Sequence, residues 1–519
     1  MIREIVLHFA DRGYQLSPEA LQLLKEAIEP YQNIAEVVVN LFPNALIVDQ
    51  SIIQHAISAM ISSKYKNNEV DQPDHLPLDE TPEEDDNSKV FLEQMTQTQI
   101  ARVPALKILS EIPTRTPSKG NDASDFLKLF QDRFHKLRAI LLSHPNVSGP
   151  IPSNRLEMVR DKQVEFIGMV SRVRENTDAI LRLSLEDQHS SKEIRVFAKR
   201  NQRTVIPDVI FEDSVIWVQG KLTHTQPNLQ IMANEISKPG IPVYGISPLS
   251  EAASPNSYVA LVSDTHVGNK GFDESCFRRF LDFLQGESGD KRQQELASKI
   301  AHVVIAGDLV DGVGVFPGQE EELEISNLNE QYERACELFG QIPSDIHLTI
   351  IPGNHDATRL ALPQPPILKD FAGPLYDLPN ATILGNPAVI EMNQRRILVT
   401  HGNGLERIIQ RTPATFEAPI GAMIELLEHR HLYPTFGERT PIAPEWQDYL
   451  VIEEVPDIFL AGHLHVADEC FYRGVRVCMG GTFQRQSAWL KRLGIHPTVG
   501  RVPVINLGDP QKVHMLYFD

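Results

Sequence analysis

The sequence predicts a multidomain chain: a small helical bundle, a small five-stranded barrel and one large α/β unit. Three observations predict it. Apolar residues near the start recur at helical spacing, five short alternating runs follow in the middle, and apolar strands alternate with helical stretches over the last 270 residues. At a prior of about 150 residues per domain, 519 residues correspond to roughly three or four domains.

Residues 1–60 read as short helices. Ile2, Ile5, Val6 and Phe9 fall on one helical face, and Ser17-Pro18 supplies a helix start ahead of Leu21, Leu24 and Ile28. Residues 61–120 read as a disordered acidic linker. Glu69 to Asp86 holds nine acidic residues, no Lys or Arg, and three prolines, so it cannot bury enough apolar surface to offset the entropy of ordering. Residues 121–160 form a helical lead-in, with Phe126, Leu129, Phe130, Leu137, Ile140 and Leu141 at core spacing.

The five runs between 161 and 240, from VEFIGMVSRVREN to LQIMANEISKP, fit a small Greek-key barrel of the OB type. Such barrels bind single strands through basic and aromatic surface groups. Here residues 160–240 carry twelve Lys+Arg against eleven Asp+Glu, and Trp217 and Phe197 read as barrel core. Arg195, Lys199, Arg200 and Arg203 are candidate phosphate contacts, with a solvated basic face as the competing reading. PGIPVYGISP (239–248) marks a boundary, and 250–519 is one α/β unit.

Composition excludes several classes. A formal charge of −20 argues against an autonomous, uniformly basic nucleic-acid binder and against a polybasic membrane-surface protein. No apolar run approaches the length of a membrane span, and the first residues lack a signal-peptide pattern. Four cysteines without a CxxC pair suggest free thiols in a reducing cytoplasm, with neither a disulfide framework nor a zinc ribbon.

The chemistry is concentrated where strands of the last unit end. In order these ends read Ser263-Asp264-Thr265-His266, Gly307-Asp308-Leu309-Val310-Asp311, Gly353-Asn354-His355-Asp356, Thr400-His401-Gly402 and Gly462-His463-Leu464-His465. One Asp or His after a strand is an ordinary cap; five successive strand ends bearing Asp, His and Asn beside glycine are not. Mixed Asp, His and Asn donors suit divalent metals such as Mn²⁺, Fe²⁺ or Zn²⁺, and there are enough donors for two ions. Two metals about 3.5–4 Å apart can clamp a phosphate and stabilise both attacking and leaving oxygens.

The ordered set DxH, GDxxD, GNHD, HG and GHxH resembles the signature of the calcineurin-like metallophosphoesterases, and every piece of it is present. The resemblance implies a two-sheet sandwich flanked by helices. It implies that Asp264, His266, Asp308 and His465 hold one metal, that Asp308 bridges, and that Asn354, His401 and His463 hold the second. His355 would protonate the leaving oxygen together with a nearby Asp, for which Asp356 is a candidate, while Asp311 and Asp356 orient the histidines. The metals implied are two divalent ions, Mn²⁺ first, with Fe²⁺, Zn²⁺ or Mg²⁺ as alternatives.

An OB barrel directly ahead of such a unit is similar to the small subunits of replicative DNA polymerases, and residues 429–465 resemble those of the archaeal D-family in particular. This likeness implies a 3′→5′ exonuclease on single-stranded or mispaired DNA ends, partnered with a large catalytic polymerase subunit and other replication proteins, in the cytoplasm at the nucleoid. The rival readings are a non-catalytic scaffold for that large subunit and a stand-alone phosphodiesterase.

Overall fold

The computed structural model describes Gln15–Leu16, Ile47–Val48, 106–112, 123–156, 158–159, 163–175, 180–201, 204–225, 228–242 and 254–519 apart from 488–489 and 492–493. The chain divides into two units, Met1–Lys89 and Val90–Asp519. In the first, Gln15–Leu16 pairs in parallel with Ile47–Val48, a contact that helical spacing does not anticipate. The rest of the expected bundle, the acidic stretch 61–105 and Arg203 lie outside the described residues.

In the second unit the elements run β1 (Lys107–Ser110), α1 (Ala123–Leu142), α2 (Ser153–Leu156), β2 (Gln163–Glu175), β3 (Ile180–Asp187), β4 (Ser190–Lys199), β5 (Val215–Thr225) and β6 (Asn228–Ser237). There follow β7 (Tyr258–Val262), α3 (Glu274–Leu284), α4 (Lys291–Ala297), β8 (Ile300–Ala306), α5 (Leu328–Phe339), β9 (His347–Ile351), α6 (Lys369–Tyr376) and β10 (Ala381–Ile383). The last are β11 (Ala388–Met392), β12 (Arg395–Val399), α7 (Leu405–Ile409), α8 (Ile420–His429), β13 (Ile458–Ala461), β14 (Asp468–Tyr472), β15 (Val475–Met479), β16 (Arg501–Asn506) and β17 (Val513–Tyr517).

Strands β2 to β6 close a barrel in the order β2-β3-β4-β6-β5, with β4 and β6 parallel and the other pairs antiparallel. Alternation sends Leu181, Leu183, Leu185, Ile194, Val196 and Ala198 inward. That phase turns Phe197 outward, half-exposed with the Arg182 guanidinium 6.0 Å from its ring centroid, so Phe197 is not core. Trp217 is buried, but on the barrel's outer face against Phe134, Leu137 and Leu141 of α1. Its indole N–H donates to Glu165 Oε2 at 3.1 Å.

The remaining strands form two six-stranded sheets, β10-β9-β8-β7-β16-β17 and β14-β15-β13-β12-β11-β1. Val259, Leu261, Val304 and Ala306 of the first meet Ile390, Ile397, Val399, Ile458 and Leu460 of the second in one core. The outer face of the first sheet packs on α3 and α5 through Phe277, Phe280 and Tyr332, and that of the second on α7 and α8 through Leu405, Met423 and Leu427. Strands covered on both faces read as continuous apolar runs, which is why VALV and VVIA show no alternation.

Strand β1 differs from expectation. Lys107–Ser110 falls inside the stretch expected to be linker, yet it pairs antiparallel with β11 at a sheet edge. Ile112 beside it is 1% exposed. An edge strand is held mainly by backbone hydrogen bonds, so its side chains, mostly exposed here, carry little pattern.

One buried side chain gives this core a pH response. His302 of β8 is fully buried, and neither ring nitrogen has a hydrogen-bond partner. Burial, with a smaller contribution from His347, pushes its pKa down to about 3. A histidine depressed in the fold contributes full stability above its unfolded value near 6.5. That stability is lost as pH falls below 6.5, because the unfolded chain then binds the extra proton. The expected loss is about 1.4 kcal/mol per pH unit from this residue. Urea unfolding of His302→Leu between pH 6.5 and 4.5 should show a shallower decline than wild type; identical slopes would refute the assignment.

Candidate metal centre

Asp264 follows β7, Asp308 follows β8, Asn354 and His355 follow β9, His401 follows β12, and His463 and His465 follow β13. These are parallel strands of both sheets, and their C-terminal ends are where α/β sheets place ligands. Turning the chain there is costly. Asp264, His266, Asp308, His463 and His465 all have positive φ, five of the ten such non-glycine residues among those described. Backbone held in that region costs about 1–3 kcal/mol per residue and persists only where the surroundings dictate it. Gly353 permits the approach: a Cβ at this position would collide with the Asp308 carboxylate.

The side chains fall into two connected groups. In the first, His266 Nε2 lies 3.1 Å from His465 Nε2, His465 Nε2 lies 3.4 Å from Asp264 Oδ1, and His266 Nε2 lies 3.8 Å from Asp308 Oδ2. In the second, His401 Nε2 lies 3.3 Å from Asp308 Oδ2, 3.2 Å from Asn354 Oδ1 and 3.2 Å from His463 Nδ1. Asp308 Oδ2 is shared by both. The candidate donors Asp264, His266 and His465 gather at one point and Asp308, His401 and His463 at another.

The donor chemistry fits cations. Asp264 Oδ1 is buried and accepts no hydrogen bond. His401 Nδ1 lies 2.8 Å from the Ala306 carbonyl and so carries the ring hydrogen, leaving Nε2 as the donor atom. His266 Nδ1 likewise donates to Asp311 Oδ1 at 3.1 Å. Burial alone would lower the pKa of His266, but Asp311, Asp308 and Asp264 raise it to about 9. His401 is raised to about 9 by Asp308 and Asp264 against the same burial. The pocket therefore carries a negative field that stabilises positive charge.

Other residues hold these in place. Asp311 accepts from His266 and from the buried Gln319, whose amide donates to Asp311 O and Oδ2 at 2.7 and 2.9 Å. His355 Nδ1 donates to the Asp311 carbonyl at 2.7 Å, and its backbone N–H donates to Asp308 Oδ1 at 2.9 Å. The carboxylate beside His355 is thus Asp311, 3.8 Å away, and not Asp356. Asp356 turns inward and accepts from Gly353 N, Leu309 N and the Tyr332 hydroxyl at 2.8, 3.3 and 3.2 Å. It staples the loop and does not pair with the histidine, because three donors already engage its two oxygens. Burial, and then Asp308, push its pKa up to about 6. Of the candidate phosphate contacts, Arg195 and Lys199 lie exposed on β4, while Arg200 reaches back to the Asp208 carbonyl at 3.1 Å.

Two residues near the centre have no signal in the sequence pattern. Phe316 lies with its ring centroid 6.3 Å from that of His355. Glu406 Oε2 accepts from His463 Nε2 at 3.2 Å, which turns Nδ1 of the same ring toward His401. A carboxylate behind a ligating histidine fixes its tautomer and raises its basicity. Glu406→Gln should weaken Mn²⁺ binding by about 10–100-fold in a calorimetric titration. Unchanged affinity would show that His463 needs no such support.

Residues 259–468 match the family model for the B subunit of DNA polymerases alpha and epsilon. The chain is 34% identical over 503 residues to the DNA polymerase II small subunit of Archaeoglobus fulgidus, covering 96% of this chain and 95% of that one. It is 36% identical to that of Methanothermobacter thermautotrophicus over 403 residues, covering 78% and 81%. It is 38% identical to that of Pyrococcus horikoshii over 398 residues, covering 76% of this chain but 62% of the relative, so it spans less than two thirds of that protein's length. A solved structure titled as a novel archaeal phosphodiesterase aligns with 50% of the chain at 12% identity and a TM-score of 0.27, too distant to bear on function.

Proposed function

The chain belongs to the archaeal DNA polymerase II small subunits, and from that membership and the geometry above we propose that it is a 3′→5′ exonuclease on single-stranded or mispaired DNA ends. In this reading it works beside a large polymerase subunit, which holds the duplex and carries the polymerising residues. The observation that supports the nuclease is the meeting of six Asp, His and Asn donors with Asp308, whose Oδ2 lies near both His266 and His401, while the buried Asp264 Oδ1 accepts no hydrogen bond.

Two divalent cations, Mn²⁺ first with Fe²⁺, Zn²⁺ or Mg²⁺ as alternatives, would supply Lewis acidity and charge neutralisation to a bound phosphodiester. Asp264, His266, Asp308 and His465 would hold one, and Asp308, Asn354, His401 and His463 the other. The chain's own residues then set the reaction. Asp311 fixes His266 through Nδ1 and His355 through its carbonyl. Water adds to phosphorus as the bond from phosphorus to the 3′ oxygen breaks, and His355 gives that oxygen a proton. Burial, reinforced by His266, holds His355 below its usual pKa in the resting protein. An arriving phosphate anion opposes that shift and favours the protonated form needed for the step.

The test is release of nucleotides from the 3′ end of single-stranded DNA by the full chain, alone and with its large subunit, with Mn²⁺ and with EDTA. Mn²⁺-dependent release is expected. No release in either setting leaves a scaffold for the polymerase as the better reading.

A further inference from the structure

The barrel carries a second surface, remote in sequence from the metal centre. Cross-strand register lays Arg174, Arg182, Phe197, Met232 and Lys221 side by side across β2, β3, β4, β6 and β5. The next row is Arg172, Ser184, Arg195, Gln230 and Thr223 on the same strands. All ten point away from the barrel interior, and none is buried. Five are cations and none is a carboxylate. Glu186 and Glu193 come one row further on, where Glu193 reaches Arg195 at 3.8 Å.

A protein of charge −20 has gathered five cations on ten adjoining positions and set a half-buried, outward-facing aromatic among them. Phe197 is flanked by Met232, 48% exposed, and by Arg182 over its ring. Solvation alone would favour Lys, Glu and Thr at such sites. We infer that this face binds single-stranded DNA: bases stack on Phe197 and Met232 while Arg172, Arg174, Arg182, Arg195 and Lys221 meet the backbone phosphates. An acidic protein segment would use the cations but has no partner for a flat, cation-capped ring, whereas every base has a π-face. Of the cations that the sequence alone suggests, Arg195 falls within this face and Lys199 at its border, and the other four cations come from β2, β3 and β5.

Binding by this face does not depend on the nuclease, so its test runs in EDTA. Fluorescence anisotropy of a labelled oligo-dT with the full chain should show a salt-sensitive complex. Phe197→Ala should weaken it roughly 5- to 150-fold, and Phe197→Trp should restore it. Arg182→Glu with Lys221→Glu should flatten the salt dependence by about 0.7 in log–log slope for each phosphate no longer neutralised. All of these positions are on the surface, and unchanged circular dichroism checks that the barrel stays folded. Oligonucleotide binding that survives all three changes overturns the proposal. So does the outcome in which binding survives but co-purification with the large subunit is lost, which would make the face a protein interface.

Discussion

His355→Ala should lower the turnover of 3′-end cleavage by about 10²–10⁴-fold, with Mn²⁺ affinity nearly unchanged. The separation follows from how His355 is held. Its backbone N–H donates to Asp308 Oδ1, and an alanine keeps that bond, so the shared carboxylate stays in place. Its ring, by contrast, touches the centre only from the side, edge-on to His266 with centroids 4.7 Å apart. The ring hydrogen on Nδ1 is committed to the Asp311 carbonyl, which leaves Nε2 to exchange a proton with substrate. A general acid matters in proportion to how poor the leaving group is. The variant should therefore lose far less activity on a p-nitrophenyl ester of thymidine 5′-phosphate, whose leaving group needs no proton. Equal losses on DNA and on the activated ester would show that His355 binds phosphate or metal and does not act as the acid.

The same residue shows what the sequence can and cannot reveal. The seven donors are legible because each follows directly after an apolar strand, so neighbouring residues report its position. Their supports are not. Glu406 lies 57 residues from His463 and enters by way of a short helix whose own pattern gives no sign of the contact. Adjacency in sequence suggests Asp356 as the partner of His355, yet adjacent residues on a turn point apart, and the backbone amides of Gly353 and Leu309 claim the carboxylate. The barrel is legible to within three residues at its strand ends because its interior demands strict alternation. The same alternation, applied to its phase, corrects Phe197: with Ile194, Val196 and Ala198 inside, 197 must face out. Strand β1 has no such signal, since its partner lies some 280 residues away and the pairing is between backbones.

The charge balance is consistent with this division of labour. An acidic protein can present a basic strip if the strip is small and its acids are placed elsewhere, and the strip's composition is visible only once register assigns residues to rows. The carboxylates of the candidate metal centre contribute to the net −20. Net charge alone therefore says little about where a chain of several domains meets nucleic acid.

Breaking the ion pair that joins the lead-in helix to the α/β unit should be the most damaging single change away from the site. Arg133 of α1 is fully buried and donates from Nε to Asp448 Oδ2 at 2.7 Å and from Nη1 to the Pro434 carbonyl at 2.5 Å. Asp448 also accepts from His431 Nε2 at 3.0 Å and from the Leu450 amide at 3.0 Å. His431 Nδ1 in turn accepts from Tyr433 N–H, which leaves the hydrogen on Nε2 and makes the ring a neutral donor. Burial would raise the Asp448 pKa, but Arg133 and His431 hold it well below the usual carboxylate range. Arg133→Met removes the counter-charge and leaves a buried carboxylate, at a cost of about 3–5 kcal/mol. The pair's net contribution is a different quantity, because both charges had to be desolvated. Arg133→Met combined with Asp448→Leu should therefore recover most of the loss, and a double-mutant cycle by urea unfolding measures the coupling. If the double variant is as unstable as the sum of the single changes, the two residues act independently and the network does not work as a unit.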